Sequence, residues 1–122
     1  MVSGNTSLMD YSDSIKVVLV GTTHPGNIGA TARAIKTMGL SKLDLVCPKE
    51  FPSDEATYRS KAAKDILEKA SIHETLLESV KGCEIVIGTS ARNRKVPWPV
   101  LNPKNASIQI NTAVKNNSKV AI

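Results

Sequence analysis

Two stretches of this sequence hold residues whose types and spacing suit chemistry. The first is VGTTHPGNIGATARAIKTMG, residues 20–39. A β-branched run ends at Gly21, and an amphipathic segment follows from Asn27. Gly26 and Gly29 keep side chains away from the expected helix start, which leaves backbone N–H groups free to meet an anion. Arg33 follows Gly29 by four residues and shares its face. Helical side chains lean toward the N-terminus, so Arg33 can reach back over the loop with a fixed cationic fork. A phosphate, or a ribose beside one, suits this arrangement. The same spacing also suits an exposed helical arginine with no ligand. His24 adds an imidazole, although a loop histidine before proline is commonly a surface residue. No Lys-Ser follows the glycines and no GxGxxG is present, so neither an ATP loop nor a dinucleotide loop is spelled out.

The second stretch is TSARNRKVPWPVLNP, residues 89–103. Thr89 and Ser90 supply hydroxyls where a strand is expected to end. Arg92, Arg94 and Lys95 form a basic cluster. Pro97 and Pro99 stiffen the chain around Trp98. Three cations beside an aromatic on a rigid loop fit RNA contact. A solvated charge run, with Trp98 covering the core, is the competing account. Cys47 and Cys83 have no CxxC or Cys/His spacing, so no metal site is expected.

Elements must position these loops. Ile15–Val20 (IKVVLV) is predicted as a buried strand. Asn27 is expected to cap the next helix, and Gly39 to end it at C′. Ile28, Ala32, Ile35 and Met38 fall on one helical face. Lys42–Cys47 (KLDLVC) is a second strand, stopped by Pro48. Residues 53–69 are helix-prone and suit two short helices. Ser71–His73 is a brief strand, Glu74–Lys81 a short helix before Gly82, and Glu84–Gly88 (EIVIG) another buried strand. Residues 107–117 suit a helix, and Lys119–Ile122 (KVAI) begins a further strand. Strands alternating with helices imply an α/β fold with a parallel sheet flanked by helices. Ligands of such sheets gather at the carboxyl ends of strands. Both chemical stretches leave such ends, so they are expected to converge.

The bulk properties are consistent with this. The chain has 122 residues and 41% hydrophobic content, enough for one domain with a core. Residues 1–13 are polar and aperiodic and are expected to form a flexible tail before a domain at 14–122. Aromatics are 3% of the chain, so the core must be aliphatic. The apolar runs are too short to span a membrane, and no signal peptide is visible. The two cysteines suit reduced, buried thiols in a cytoplasmic protein. A net charge of +5 favours a polyanionic partner.

The motifs also carry a family resemblance. HPGNIGATARAIKTMGL resembles the first motif of the SpoU/TrmH branch of SPOUT methyltransferases, whose hallmark is an asparagine followed six residues later by an arginine, here Asn27 and Arg33. GTSARNRKVPWPVLNP resembles the narrower TrmJ group, which methylates the ribose 2′-hydroxyl in the tRNA anticodon loop. The resemblance runs from about Ile15 to Ile122. It implies a SPOUT (α/β knot) fold, S-adenosyl-L-methionine as cofactor, tRNA as partner, and a homodimer in the full-length enzyme, without metal or membrane. It implies that Arg33 activates or orients the hydroxyl and that Asn27 supports the active-site loop. Thr89, Ser90 and Ala91 match the cofactor-touching segment. Arg92, Arg94, Lys95 and His24 are the expected RNA contacts. The family continues past a strand like KVAI with a Gly- and Glu-containing loop and a Ser/Asn-Leu-rich motif. The sequence stops before both, so the expectation is a truncated domain, inactive alone. The alternatives are a non-catalytic SPOUT-like RNA-binding domain and a generic nucleotide-binding α/β domain.

Overall fold

The computed structural model describes residues 11–89 and 102–122. In chain order the strands are β1 (Ile15–Val20), β2 (Lys42–Val46), β3 (Ser71–His73), β4 (Cys83–Val86) and β5 (Lys119–Ala121). The helices are α1 (Pro25–Thr37), α2 (Asp54–Ser60), α3 (Lys64–Glu68), α4 (Leu76–Val80) and α5 (Pro103–Lys115), with 3-10 turns at Tyr11–Asp13 and Lys61–Ala63. The sheet has five strands in the order β3-β2-β1-β5-β4. Every neighbouring pair is parallel, as the alternation of strand and helix patterns predicts.

Side chains alternate across a strand, so each face of the sheet has its own chemistry. Leu43 and Leu45 point to one face and meet Ile28, Ala32 and Ile35 of α1, with Ala56, Ile66 and Leu67 of α2 and α3 completing the cluster. On the same face Ile15 and Val120 pack with Ala113 and Val114 of α5. Leu40 borders both clusters. The opposite face carries Lys16 and Asp44, and the short helix α4 covers it there through Ser79.

Local signals explain most element boundaries. The Ser53 hydroxyl accepts from the Ala56 N–H at 3.3 Å and starts α2. Thr75 and Glu78 close a capping box on α4. The Asn102 side chain accepts from the Asn105 N–H at 2.8 Å, with Pro103 next, so α5 starts four residues before the predicted 107. Gly39 does occupy the left-handed C′ position, at φ 77°.

Several expectations need correction. Helix α1 starts at Pro25, so Asn27 is in the first turn rather than at the cap. The proline ring holds the backbone dihedral that a first helical residue needs, and His24 takes the extended cap position. Met38 is 71% exposed, because it follows the last helical residue and turns off the core face. β1 and β4 are not fully buried: Val20 and Val86 are 59% and 52% exposed. Both lie where helices leave the sheet uncovered, and β4 is an edge strand. Cys83 is only partly buried, and Cys47 is exposed at the end of β2 with its thiol donating to the Glu74 carbonyl at 3.0 Å. Tyr11–Asp13, the last part of the expected tail, form a turn to which Lys119 and Ser41 donate hydrogen bonds. The remainder of the expected tail, residues 1–10, lies outside the described residues.

Candidate active site

Because all five strands are parallel, their carboxyl ends share one edge of the sheet. At this edge Gly21 takes φ 62° and turns the chain out of β1. Its N–H donates to the Val46 carbonyl at 2.8 Å, and the Lys49 N–H donates to the Thr22 carbonyl at 3.0 Å. The loop after β1 is thereby tied to the segment after β2. The chain after β4 stays on the sheet for one more residue, with the Ile87 N–H donating to the Ala121 carbonyl at 2.9 Å. Thr89 then stands exposed, after a glycine with open space around it. Only β5 lies between β1 and β4. The two loops therefore leave one edge, two strand spacings or about 10 Å apart. The expected convergence of the loops themselves falls on residues 90–101, which lie outside the described residues.

His24, Asn27 and Arg33 are all exposed. Six residues along a helix turn through about 600° and climb about 9 Å, so Asn27 and Arg33 point about 120° apart. Asn27 sits in the first turn, next to the loop. Arg33 lies about 9 Å farther from the edge, and only the backward lean of its side chain directs it there. The Arg33 carbonyl accepts from the Thr37 hydroxyl at 2.9 Å. Its guanidinium has no partner among the described residues. His24 makes no side-chain cap bond.

The two glycines of this motif also serve a packing purpose that was not expected. Gly26 and Gly29 are buried. A methyl group on Gly29 would overlap the Ala56 carbonyl and lie 2.8 Å from Arg59 Cβ. One on Gly26 would lie 2.7 Å from Glu55 Oε2 and 3.4 Å from Arg59 Nη1. These glycines bring α1 against the backbone of α2. That close approach places the Glu55 carboxylate and the Arg59 guanidinium beside the first turn of α1. The spacing GNIG contained this signal, since two glycines three apart make a flat strip on a helix.

Ser90, Ala91, Arg92, Arg94 and Lys95 lie outside the described residues, as does Trp98. Among the described residues no group of His, Cys, Asp or Glu is arranged to hold a metal. No described helix is long and apolar enough to cross a membrane.

Sequence reasoning missed a buried polar cluster on the other face of the sheet. Asp44 is 4% exposed, and its Oδ2 accepts from Lys16 Nζ at 3.0 Å and from the Ser79 hydroxyl at 2.7 Å. His73 Nε2 lies 3.1 Å from the same oxygen. Lys16 Nζ also donates to the Ser79 carbonyl at 2.9 Å. The cluster ties β1, β2, β3 and α4 together. Its trace was present in IKVVLV and KLDLV, where one charge of each sign interrupts an apolar run.

Comparison with known proteins adds to this geometry. The profile of the SpoU rRNA Methylase family matches residues 14–115. A tRNA (cytidine/uridine/adenosine-2′-O-)-methyltransferase TrmJ of Pseudomonas aeruginosa is 49% identical over 110 residues, covering 90% of this chain and 43% of the relative. A tRNA (cytidine/uridine-2′-O-)-methyltransferase TrmJ of Yersinia pestis is 49% identical over 96 residues, covering 79% and 37%. The crystal structure of TrmJ from Z. mobilis superposes with a TM-score of 0.79 at 32% identity, over 89% of this chain and 47% of that one. The chain thus spans less than half the length of these relatives. With the family profile covering most of the sequence and the parallel fold shared with a solved TrmJ, the chain belongs to the SpoU rRNA Methylase family and has the SPOUT fold.

Proposed function

We propose that the chain is part of an S-adenosyl-L-methionine-dependent tRNA 2′-O-ribose methyltransferase acting on a cytidine or uridine of the anticodon loop in the cytoplasm. The observation that carries this is the pairing of Asn27 and Arg33 on α1 with a second loop leaving the same sheet edge, in a chain 49% identical to TrmJ enzymes. The cofactor supplies an electrophilic methyl group on a sulfonium. Thr89 is exposed beyond β4, and Thr89, Ser90 and Ala91 would hold the cofactor. The nucleophile would be the ribose 2′-hydroxyl, whose proton would pass to water as its oxygen accepts the methyl group.

The protein must then align a weak nucleophile and manage its charge. Alignment alone supplies about 7–11 kcal/mol in favourable cases. A guanidinium is a poor base but a good stabiliser of developing alkoxide charge, and that is the role proposed for Arg33. Asn27, in the first turn next to the loop, supports the loop's conformation. Arg92, Arg94, Lys95 and His24 meet the tRNA backbone, and two copies of the whole enzyme form the working unit. In the complete enzyme, Arg33→Ala is expected to lower kcat for methyl transfer to a tRNA transcript by roughly 100–1,000-fold, as loss of one oxyanion-stabilising donor does. Its melting curve should stay unchanged, since the side chain is exposed. Methylation at the parental rate would remove Arg33 from the mechanism.

A further inference from the structure

The carboxyl edge of the sheet holds the candidate site, but an array of positive charge among the described residues lies at the opposite edge. An open cleft of about 550 Å³ lies where the strands begin. Lys16, Lys42, Lys69, Lys81 and Lys119 line it, against Asp13 and Asp44. Five cations against two anions leave a net +3. Asp44 is already neutralised by Lys16. Lys119 donates to the Asp13 carbonyl, which uses one N–H and leaves its charge uncompensated. Lys42, Lys69 and Lys81 are exposed and have no carboxylate partner among the described residues.

Lys69 and Lys81 follow the last turns of α3 and α4, where a cation complements the helix dipole. Those helices have five residues each, so the dipole term is small. Lys42 begins a strand and has no such reason to be there. The cleft is open, and its cationic groups are all lysines. Lysines act as point charges without the planar fork that reads one anion geometry. This combination suits a run of phosphodiesters, which position an RNA without reading its sequence.

We infer that this cleft is a second RNA surface, where Lys42, Lys69 and Lys81 grip the phosphate backbone of the substrate tRNA away from the methylated nucleotide. The inference rests on the tRNA reading above and deepens it. β1 has six residues, so the two edges are about 20 Å apart. A bound tRNA would therefore contact two sides of the domain, the reacting loop at one and its backbone at the other.

The test uses lysine footprinting and a salt titration on the full chain with an unmodified tRNA transcript. Bound tRNA should protect Lys42, Lys69 and Lys81 from acetylation, while Lys104 and Lys115 on α5 stay reactive. The K42Q/K69Q/K81Q variant should bind roughly 10–100-fold more weakly at 0.1 M salt, and its log Kd against log salt slope should fall by about 2 to 3. K42R/K69R/K81R should restore both, which separates lost charge from lost folding. Unprotected lysines or an unchanged salt slope would overturn the inference. Methyl transfer by the complete enzyme, measured in parallel, keeps the two ideas separate. Protection without methylation sinks the reaction and keeps the surface. Methylation without protection sinks the surface and keeps the reaction. Absence of both removes both.

Discussion

The two faces of the sheet are held by different physics. On the α1 face, aliphatic side chains interlock and α1 approaches the α2 backbone across two glycines. On the α4 face, one buried carboxylate collects a lysine, a histidine and a serine, and beyond that cluster Val20 stands open. The first face is insensitive to charge and intolerant of any change in volume. The second depends on a single oxygen, Asp44 Oδ2, and tolerates change beyond the reach of α4. The chemistry proposed for this protein would sit at the rim where these two faces meet.

The sharpest way to break this contrast is in the apolar layer. Leu45 is fully buried. Leu45→Ala should destabilise the chain by about 2–5 kcal/mol, the range for a buried leucine whose cavity cannot collapse. Chemical denaturation would measure it, and a loss below about 1 kcal/mol would mean the layer is looser than its burial suggests. An intermediate effect is expected on the polar face. Asp44→Ala strands the buried Ser79 hydroxyl and the Lys16 ammonium, at a cost of about 1–3 kcal/mol. Pairing it with Lys16→Met should recover part of that loss, because the orphaned charge goes too. If the double variant is as unstable as the two single losses added, the residues are not acting as a unit. The smallest effect belongs to Val20, 59% exposed on the uncovered part of that face. Val20→Ala should shift stability by no more than about 0.5 kcal/mol. A larger shift would show that this valine is packed in solution.

Much of the fold was legible from residues alone. Ile15–Val20 and Ser71–His73 match their predicted bounds, and Lys42–Cys47 misses by one residue. β-branched runs between turn residues leave few alternatives. The boundary of α1 was less legible because two signals competed: Asn27 is a good cap, but Pro25 is a better first residue. Burial was overestimated for Cys47, Val20 and Val86, since a short apolar run does not say whether a helix covers it. In the candidate site, the motif carrying Asn27 and Arg33 was readable as text. The use of Gly26 and Gly29 was not, because a glycine that admits an anion and one that admits a helix look the same in sequence.

The order of apolar, polar and turn residues by itself determined the alternation of strands and helices, and with it a parallel sheet whose loops emerge at one edge. That follows from local rules, since periodicity and turn chemistry act over a few residues. Only the tertiary structure decided which strand lies between the two loops, which glycines touch a neighbouring helix, and that Lys16, Asp44, His73 and Ser79 share one buried oxygen. The contacts of that polar cluster alone join residues up to 63 positions apart. No local pattern encodes them, because they arise from which faces the sheet has left to cover.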